Sequence, residues 1–150
     1  MYFILFALIE YFLDQASKYL IIKNFYLSQS IPVIKPVLYL TYIQNKGAAF
    51  GLFTNLSLLL GIISFLVIVA FIIFSYKIIK LPVIYQIPLG LILGGTAGNL
   101  TDRIRLGYVI DFIDFRVWPV FNLADTALTV SFIWLIIAVI IAEKKEFKES

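Results

Sequence analysis

The chain has 150 residues, 62% hydrophobic and only 14% charged, against about 25% charged in a typical water-soluble domain, so a single domain with lipid as its main solvent is expected. With no cysteine and no histidine, disulfides, thiol catalysis, Ser-His and Cys-His nucleophiles, cysteine-based metal sites and the H-E-x-x-H zinc proteases are excluded. Acid–base chemistry near neutral pH falls to Asp, Glu, Lys or Tyr, and the net charge of +3 reads as loop lysines near anionic headgroups, with no nucleic acid as partner.

The first apolar segment, 2–22, contains Glu10, Asp14, Gln15, Ser17 and Lys18. It lacks the basic start and A-x-A-like end of a secretory leader, so a retained transmembrane helix is expected. Glu10, Asp14 and Lys18 recur every four residues and share one face. Charges in a membrane helix face protein or water; here they form an Asp14–Lys18 pair that holds helices together, or they take part in chemistry.

Residues 23–55 carry Pro32, Pro36, an aromatic-rich run from Val37 to Gln44, the turn signal Asn45-Lys46-Gly47, and a second apolar run from Ala48 to Phe53. Two short apolar runs around an Asn/Gly turn predict a β-hairpin. Such backbone belongs at the membrane surface, where its polar groups are solvated.

Residues 56–76 hold no charge until Lys77 and form the second predicted span. The third, 83–101, carries Gly90, Gly94 and Gly98 at four-residue intervals, a small-residue face that lets another helix approach closely. Asp102-Arg103 closes it. A loop broken by Pro119 follows, and the fourth span is 123–142, with Asn122 as N-cap and Asp125 in its first turn, a capping-box arrangement. A short solvated tail begins at Glu143.

Four antiparallel spans bring the end of the third and the start of the fourth to one membrane face. There Asp111, or Asp114, can meet Asp125; spacing does not choose between the first two. Two carboxylates a few ångströms apart share one proton. The ionised member takes a proton from water as the water attacks a peptide carbonyl, and the protonated member polarises that carbonyl and later protonates the leaving amine. Asp125, at a helix N-terminus, is the expected ionised member. Taken singly, Asp125 is also a plain capping residue and Asp111 a plain loop charge. Two other classes fit the composition: a small transporter or proton-conducting protein built on Asp14, Asp111 and Asp125, and a scaffold subunit, which leaves the polar residues at one face without a role.

Five blocks occur in order: Asp14-Gln-Ala-Ser-Lys18, Asn45-Lys-Gly-Ala-Ala-Phe50, Gly98-Asn-Leu-Thr-Asp-Arg103, Val109-Ile-Asp-Phe-Ile113 and Phe121-Asn-Leu-Ala-Asp125. Together they resemble the signature blocks of the bacterial lipoprotein signal peptidase (signal peptidase II) family, from about residue 10 to residue 142. The resemblance implies an aspartic endopeptidase of the bacterial cytoplasmic membrane. Such an enzyme cuts prolipoproteins just before a diacylglyceryl-modified cysteine. It puts catalysis on Asp111 and Asp125, against Asp114. It gives substrate-binding or site-shaping roles to Asn45, Asn99, Arg103 and Asn122, and structural roles to Asp14, Lys18 and Asp102. The expected fold is a membrane all-α domain over 1–150, with four transmembrane helices and a small extracytoplasmic β-hairpin or sheet between the first two. Both termini are expected in the cytoplasm and the active site at the outer face, an orientation that loop charges alone do not decide. No metal and no cofactor is expected. The expected partners are the lipidated substrate and membrane lipid, and the expected state is a monomer.

Overall fold

The three stretches with the longest uncharged apolar sequence all fold as long helices. The computed structural model describes residues 1–47 and 56–149. In chain order the elements are α1 (Tyr2–Asn24), β1 (Ser30–Ile34), β2 (Leu38–Asn45), α2 (Ser57–Ile78), α3 (Val83–Leu106), β3 (Val109–Asp114) and α4 (Leu123–Glu149). Within them, Ser57–Ile78, Val83–Leu106 and Leu123–Lys144 are long and apolar enough to cross a membrane. The described residues are thus mostly helical, with three apolar helices and one small antiparallel sheet among them.

α1 differs because three of its four charges are buried. Glu10, Asp14 and Lys18 are buried, whereas Leu5, Leu8, Phe12, Leu13 and Leu20 are exposed. α3 is the hub against which α1, α2 and α4 pack. Its glycine face makes this possible. A Cβ on Gly90 would collide with the Phe3 carbonyl oxygen, one on Gly94 with that of Ala7, and one on Gly98 with the Asp14 carboxylate. On another side, a Cβ on Gly95 would stand 2.9 Å from the Ala124 oxygen of α4. Such close approach brings polar groups on α1, α3 and α4 within direct reach of one another. At the far end of the bundle, Gln86 Oε1 accepts from the Met1 and Phe3 nitrogens while its Nε2 donates to the Ile79 and Leu81 oxygens. One side chain thereby ties the start of α1 to the α2–α3 turn.

The sheet has the order β1-β2-β3, antiparallel throughout. Its buried face, with Tyr42, Ile110 and Phe112, packs on Ile21 of α1. Phe25 and Leu123 pack on the same cluster, so the sheet is seated where α1 ends and α4 begins.

Several expectations change. The hairpin forms between β1 and β2, turning at residues 35–37, where Val37 N–H donates to the Ile34 oxygen and the Lys35–Pro36 bond is cis. Prolines at 32 and 36 mask an edge strand from sequence reading, because the pattern demotes any run that contains them. The hairpin predicted around Asn45-Lys-Gly would need residues 48–53, which lie outside the described residues. Residues 109–114, predicted as loop, form β3, paired along β2 with Ile43 opposite Asp111 and Asn45 opposite Val109. α3 runs past Asp102 to Leu106 and stops at Gly107, which is left-handed with φ 80°. α4 continues through the predicted tail to Glu149.

Candidate active site

Two elements end where the others meet. Asp111 sits on β3 and is 1% exposed. Its Oδ2 accepts from Asn45 Nδ2 at 2.8 Å, a diagonal contact from β2. Its Oδ1 accepts from Asn122 Nδ2 at 2.7 Å. Asp125 lies in the first turn of α4. Its Oδ1 accepts from Asn99 Nδ2 of α3 at 2.9 Å.

Asn122 and Asp125 close a reciprocal cap on α4. The Asp125 N–H donates to Asn122 Oδ1 at 2.9 Å, and the Asn122 N–H donates to Asp125 Oδ2 at 3.3 Å. The capping-box arrangement read from sequence is therefore present. It also does more than start a helix: with its oxygen committed to a backbone N–H, the Asn122 amide must turn its NH₂ toward Asp111. Asn122, 0% exposed, thus touches both carboxylates, one through its side chain and one through its backbone.

The same logic orients Asn99. Lys18 Nζ has only donors, and it donates to Asn99 Oδ1 at 2.8 Å. The Asn99 NH₂ is left to face Asp125, and Asn122 Nδ2 reaches the same Asn99 oxygen at 3.2 Å. Lys18 also pairs with Asp14 at 2.8 Å and with Asp102 at 2.9 Å. The Asp14–Lys18 pair expected from i, i+4 spacing is present, joined by a second carboxylate from α3. Gln15, which sequence reading passed over, donates to Asp14, to the Gly98 oxygen and to Asp102. Its place inside the charged run of α1 was the available signal.

Asp111 is held up to about 7 against an ordinary 3.8. Burial is the main cause and the charge of nearby Asp125 the second; the amides of Asn45 and Asn122 and the charge of Lys18 pull it back only in part. Asp111 therefore carries a proton near neutrality that an exposed aspartate would have lost. Asp114, the rival by spacing, is engaged elsewhere. It accepts from Thr41 Oγ1 at 2.7 Å and from the Arg116 N–H at 2.8 Å.

Both carboxylates open on hollows. One, of about 350 Å³, is lined by Trp118, Phe121, Asp125, Thr126, Thr129 and Val130. The other, of about 420 Å³, is lined by Asn45, Lys46, Asp111, Pro119 and neighbours on β2. A separate apolar hollow of about 510 Å³ lies between α2 and α3, with Arg103 on its wall. Arg103 is the one predicted site residue that stands outside the amide–carboxylate network proper; its Nη1 reaches the Asn99 carbonyl oxygen at 3.4 Å. Among the described residues no three histidine, cysteine, aspartate or glutamate side chains gather in a metal-holding cluster.

Comparison with known proteins agrees across the chain. The family model described as signal peptidase (SPase) II matches residues 6–141. The lipoprotein signal peptidase of Halothermothrix orenii is 46% identical over 131 residues, covering 87% of this chain and 90% of that protein. The lipoprotein signal peptidase of Caldanaerobacter subterraneus subsp. tengcongensis is 49% identical over 127 residues, 83% of this chain and 86% of that one. A bacterial membrane enzyme solved by the in meso method at 2.3 Å resolution superposes with a TM-score of 0.86 at 32% identity, covering 95% of this chain and 90% of that one. A second, solved at 1.9 Å, gives 0.82 at 33% identity and 91% of both chains.

Proposed function

The chain belongs to the signal peptidase II family, and from that premise we propose that it removes signal peptides from prolipoproteins by aspartic catalysis at Asp111 and Asp125. The observation that carries this reading is the amide bridge: one asparagine, Asn122, bonds both carboxylates and leaves each facing a hollow.

The chemistry follows from the protonation states. Asp111 starts protonated and Asp125 ionised at the α4 N-terminus. A water between them gives a proton to Asp125 as its oxygen bonds the scissile carbon, while the Asp111 proton passes to the carbonyl oxygen. In the resulting gem-diol, the C–N bond breaks as Asp125, now the protonated member, gives its proton to the departing nitrogen, a role that sequence reading assigns to the member protonated at the start. One diol hydroxyl gives its proton back to Asp111, which restores the starting state. Asn99, Asn45 and Asn122 donate to the carboxylates throughout, so that little reorganisation accompanies the charge movement.

The substrate is a signal peptide followed by a diacylglyceryl-modified cysteine, cut just before that cysteine. Extended residues on either side of the cut run between the two hollows, and Arg103 contacts the chain from α3. α1 serves as the fourth span, since Glu10, Asp14 and Lys18 are turned inward and its lipid face is apolar. The protein sits as a monomer in the bacterial cytoplasmic membrane, with both termini inside and the sheet and aspartates at the outer face. Its whole length forms one integral peptidase domain.

The test is cleavage of a diacylglyceryl-modified preprolipoprotein by purified protein in detergent, with the unlipidated precursor alongside. Cleavage of the lipidated form that is insensitive to chelators and lost in both Asp111→Asn and Asp125→Asn is expected. Full activity in either variant contradicts the aspartic pair, as does Asp→Glu tolerance at both positions, since a paired site is held to about 0.5 Å and a proton relay is not.

A further inference from the structure

We propose that Asp14, Lys18 and Asp102 act as a spacing gauge that sets the separation of Asp111 and Asp125, which makes them positioning residues rather than only an ion pair holding helices together. The proposal rests on the assignment of Asp111 and Asp125 as the reacting pair.

The connectivity carries it. Lys18 is 2% exposed, and its ammonium spends its three protons on Asp14 Oδ2 at 2.8 Å, Asp102 Oδ2 at 2.9 Å and Asn99 Oδ1 at 2.8 Å. Each carboxylate then reaches one backbone N–H on another element. Asp14 Oδ1 accepts from the Ala124 N–H, and Asp102 Oδ2 accepts from the Ile110 N–H, each at 3.2 Å. Ala124 directly precedes Asp125, and Ile110 directly precedes Asp111. The start of α4 and the strand β3 are therefore held to one ammonium by two arms of equal composition. Gln15 joins the arms by donating to Asp14 Oδ2 at 3.2 Å and Asp102 Oδ1 at 3.0 Å. The third donor of Lys18 goes through Asn99 to Asp125 itself.

A helix-joining ion pair needs one carboxylate. A second buried carboxylate on the same cation leaves a net negative charge, which is costly in a low-dielectric interior. The backbone N–H groups of Ala124 and Ile110 offset that cost, and they are the groups whose positions fix the two aspartates. Gly98 fits the same account, because a Cβ there would collide with the Asp14 carboxylate. The arm lies in a notch that only glycine leaves open.

The decisive comparison is Asp102→Asn against Asp102→Ala, measured as kcat and KM on the lipidated precursor in detergent with thermal stability in parallel. The asparagine keeps an oxygen for Lys18 and the Ile110 N–H but loses the charge. It is expected to melt lower and to keep kcat within about threefold of wild type. The alanine removes the arm, and its kcat is expected to fall about 100-fold with KM unchanged, the size of effect a misplacement near 1 Å produces. Asp14→Asn against Asp14→Leu repeats the comparison on the other arm and carries the test if Asp102→Ala yields no folded protein. Asp111→Asn and Asp125→Asn are run beside them. Wild-type kcat in folded Asp102→Ala or Asp14→Leu overturns the gauge, as does an Asp102→Asn enzyme as slow as the alanine variant. Activity in Asp111→Asn or Asp125→Asn overturns the underlying assignment instead.

Discussion

Asn122 concentrates the account at the scale of one residue. Its oxygen caps α4 and its nitrogen meets Asp111, so helix initiation and site geometry share one amide. Asn122→Ala is expected to cost about 2 kcal/mol of stability, read by thermal melting, together with most of the activity. Asn122→Asp keeps the cap but sets a third carboxylate against Asp111. It is expected to keep the α4 cap and to cleave at under about 1% of the wild-type rate, since a carboxylate there cannot donate to Asp111 and its added charge upsets the proton shared by the pair. The capping role of Asn122 was legible in the sequence, because capping is local. Spacing alone did not separate Asp111 from Asp114, and only the family resemblance favoured Asp111; the hydrogen bond that occupies Asp114 comes from Thr41 across the sheet, a partner 73 positions away that no spacing rule names. Asp102 was similarly opaque, since its bond to the Ile110 N–H is made across the end of a helix that sequence reading stopped too early.

At the scale of elements, the glycine face of α3 decides the architecture. The stripe is visible in the sequence from its four-residue period, whereas the helix that fills it is a matter of tertiary packing. The structure assigns that helix as α1, with Gly95 turned to α4. Gly90→Ala and Gly94→Ala should each destabilise by about 1–3 kcal/mol through overpacking against a backbone carbonyl. Gly61→Ala, whose nearest atoms would stand at 3.9 Å, should change stability by under about 0.5 kcal/mol. Thermal unfolding of the three proteins in one detergent makes the comparison; a melting point for Gly94→Ala equal to that of Gly61→Ala would contradict the packing. β3 was missed because the run from Val109 to Asp114 is short and carries two aspartates, residues depleted in strands. Burial of Ile110 and Phe112 against Tyr42 and Ile21 overrides that preference.

For the whole molecule, the main legible feature was the solvent. Low charge and long apolar segments predicted a membrane protein, and exposed Leu, Ile, Val and Phe on all four helices form the corresponding surface. α1 is the instructive case. Glu10, Asp14 and Lys18 weaken it as a span by composition, yet the fold buries all three and leaves Lys23, in the last turn, exposed; the partners of Asp14 and Lys18 on α3 and α4 are ones that local sequence cannot reveal. The network also ties stability to pH. Because the folded state holds the Asp111 proton up to about 7 whereas an unfolded aspartate releases it near 3.8, the stabilisation is full below about pH 4 and is lost as pH rises through about 7. Wild-type protein should therefore melt lower at pH 8 than at pH 6, and Asp111→Asn should weaken that dependence.

The pH dependence of kcat/KM for cleavage of a diacylglyceryl-modified precursor by the purified enzyme tests the shared-proton pair most directly. The pair predicts a bell whose alkaline limb falls near 7, where Asp111 loses its proton. A rate that stays level or climbs from pH 6 to pH 9 would contradict it.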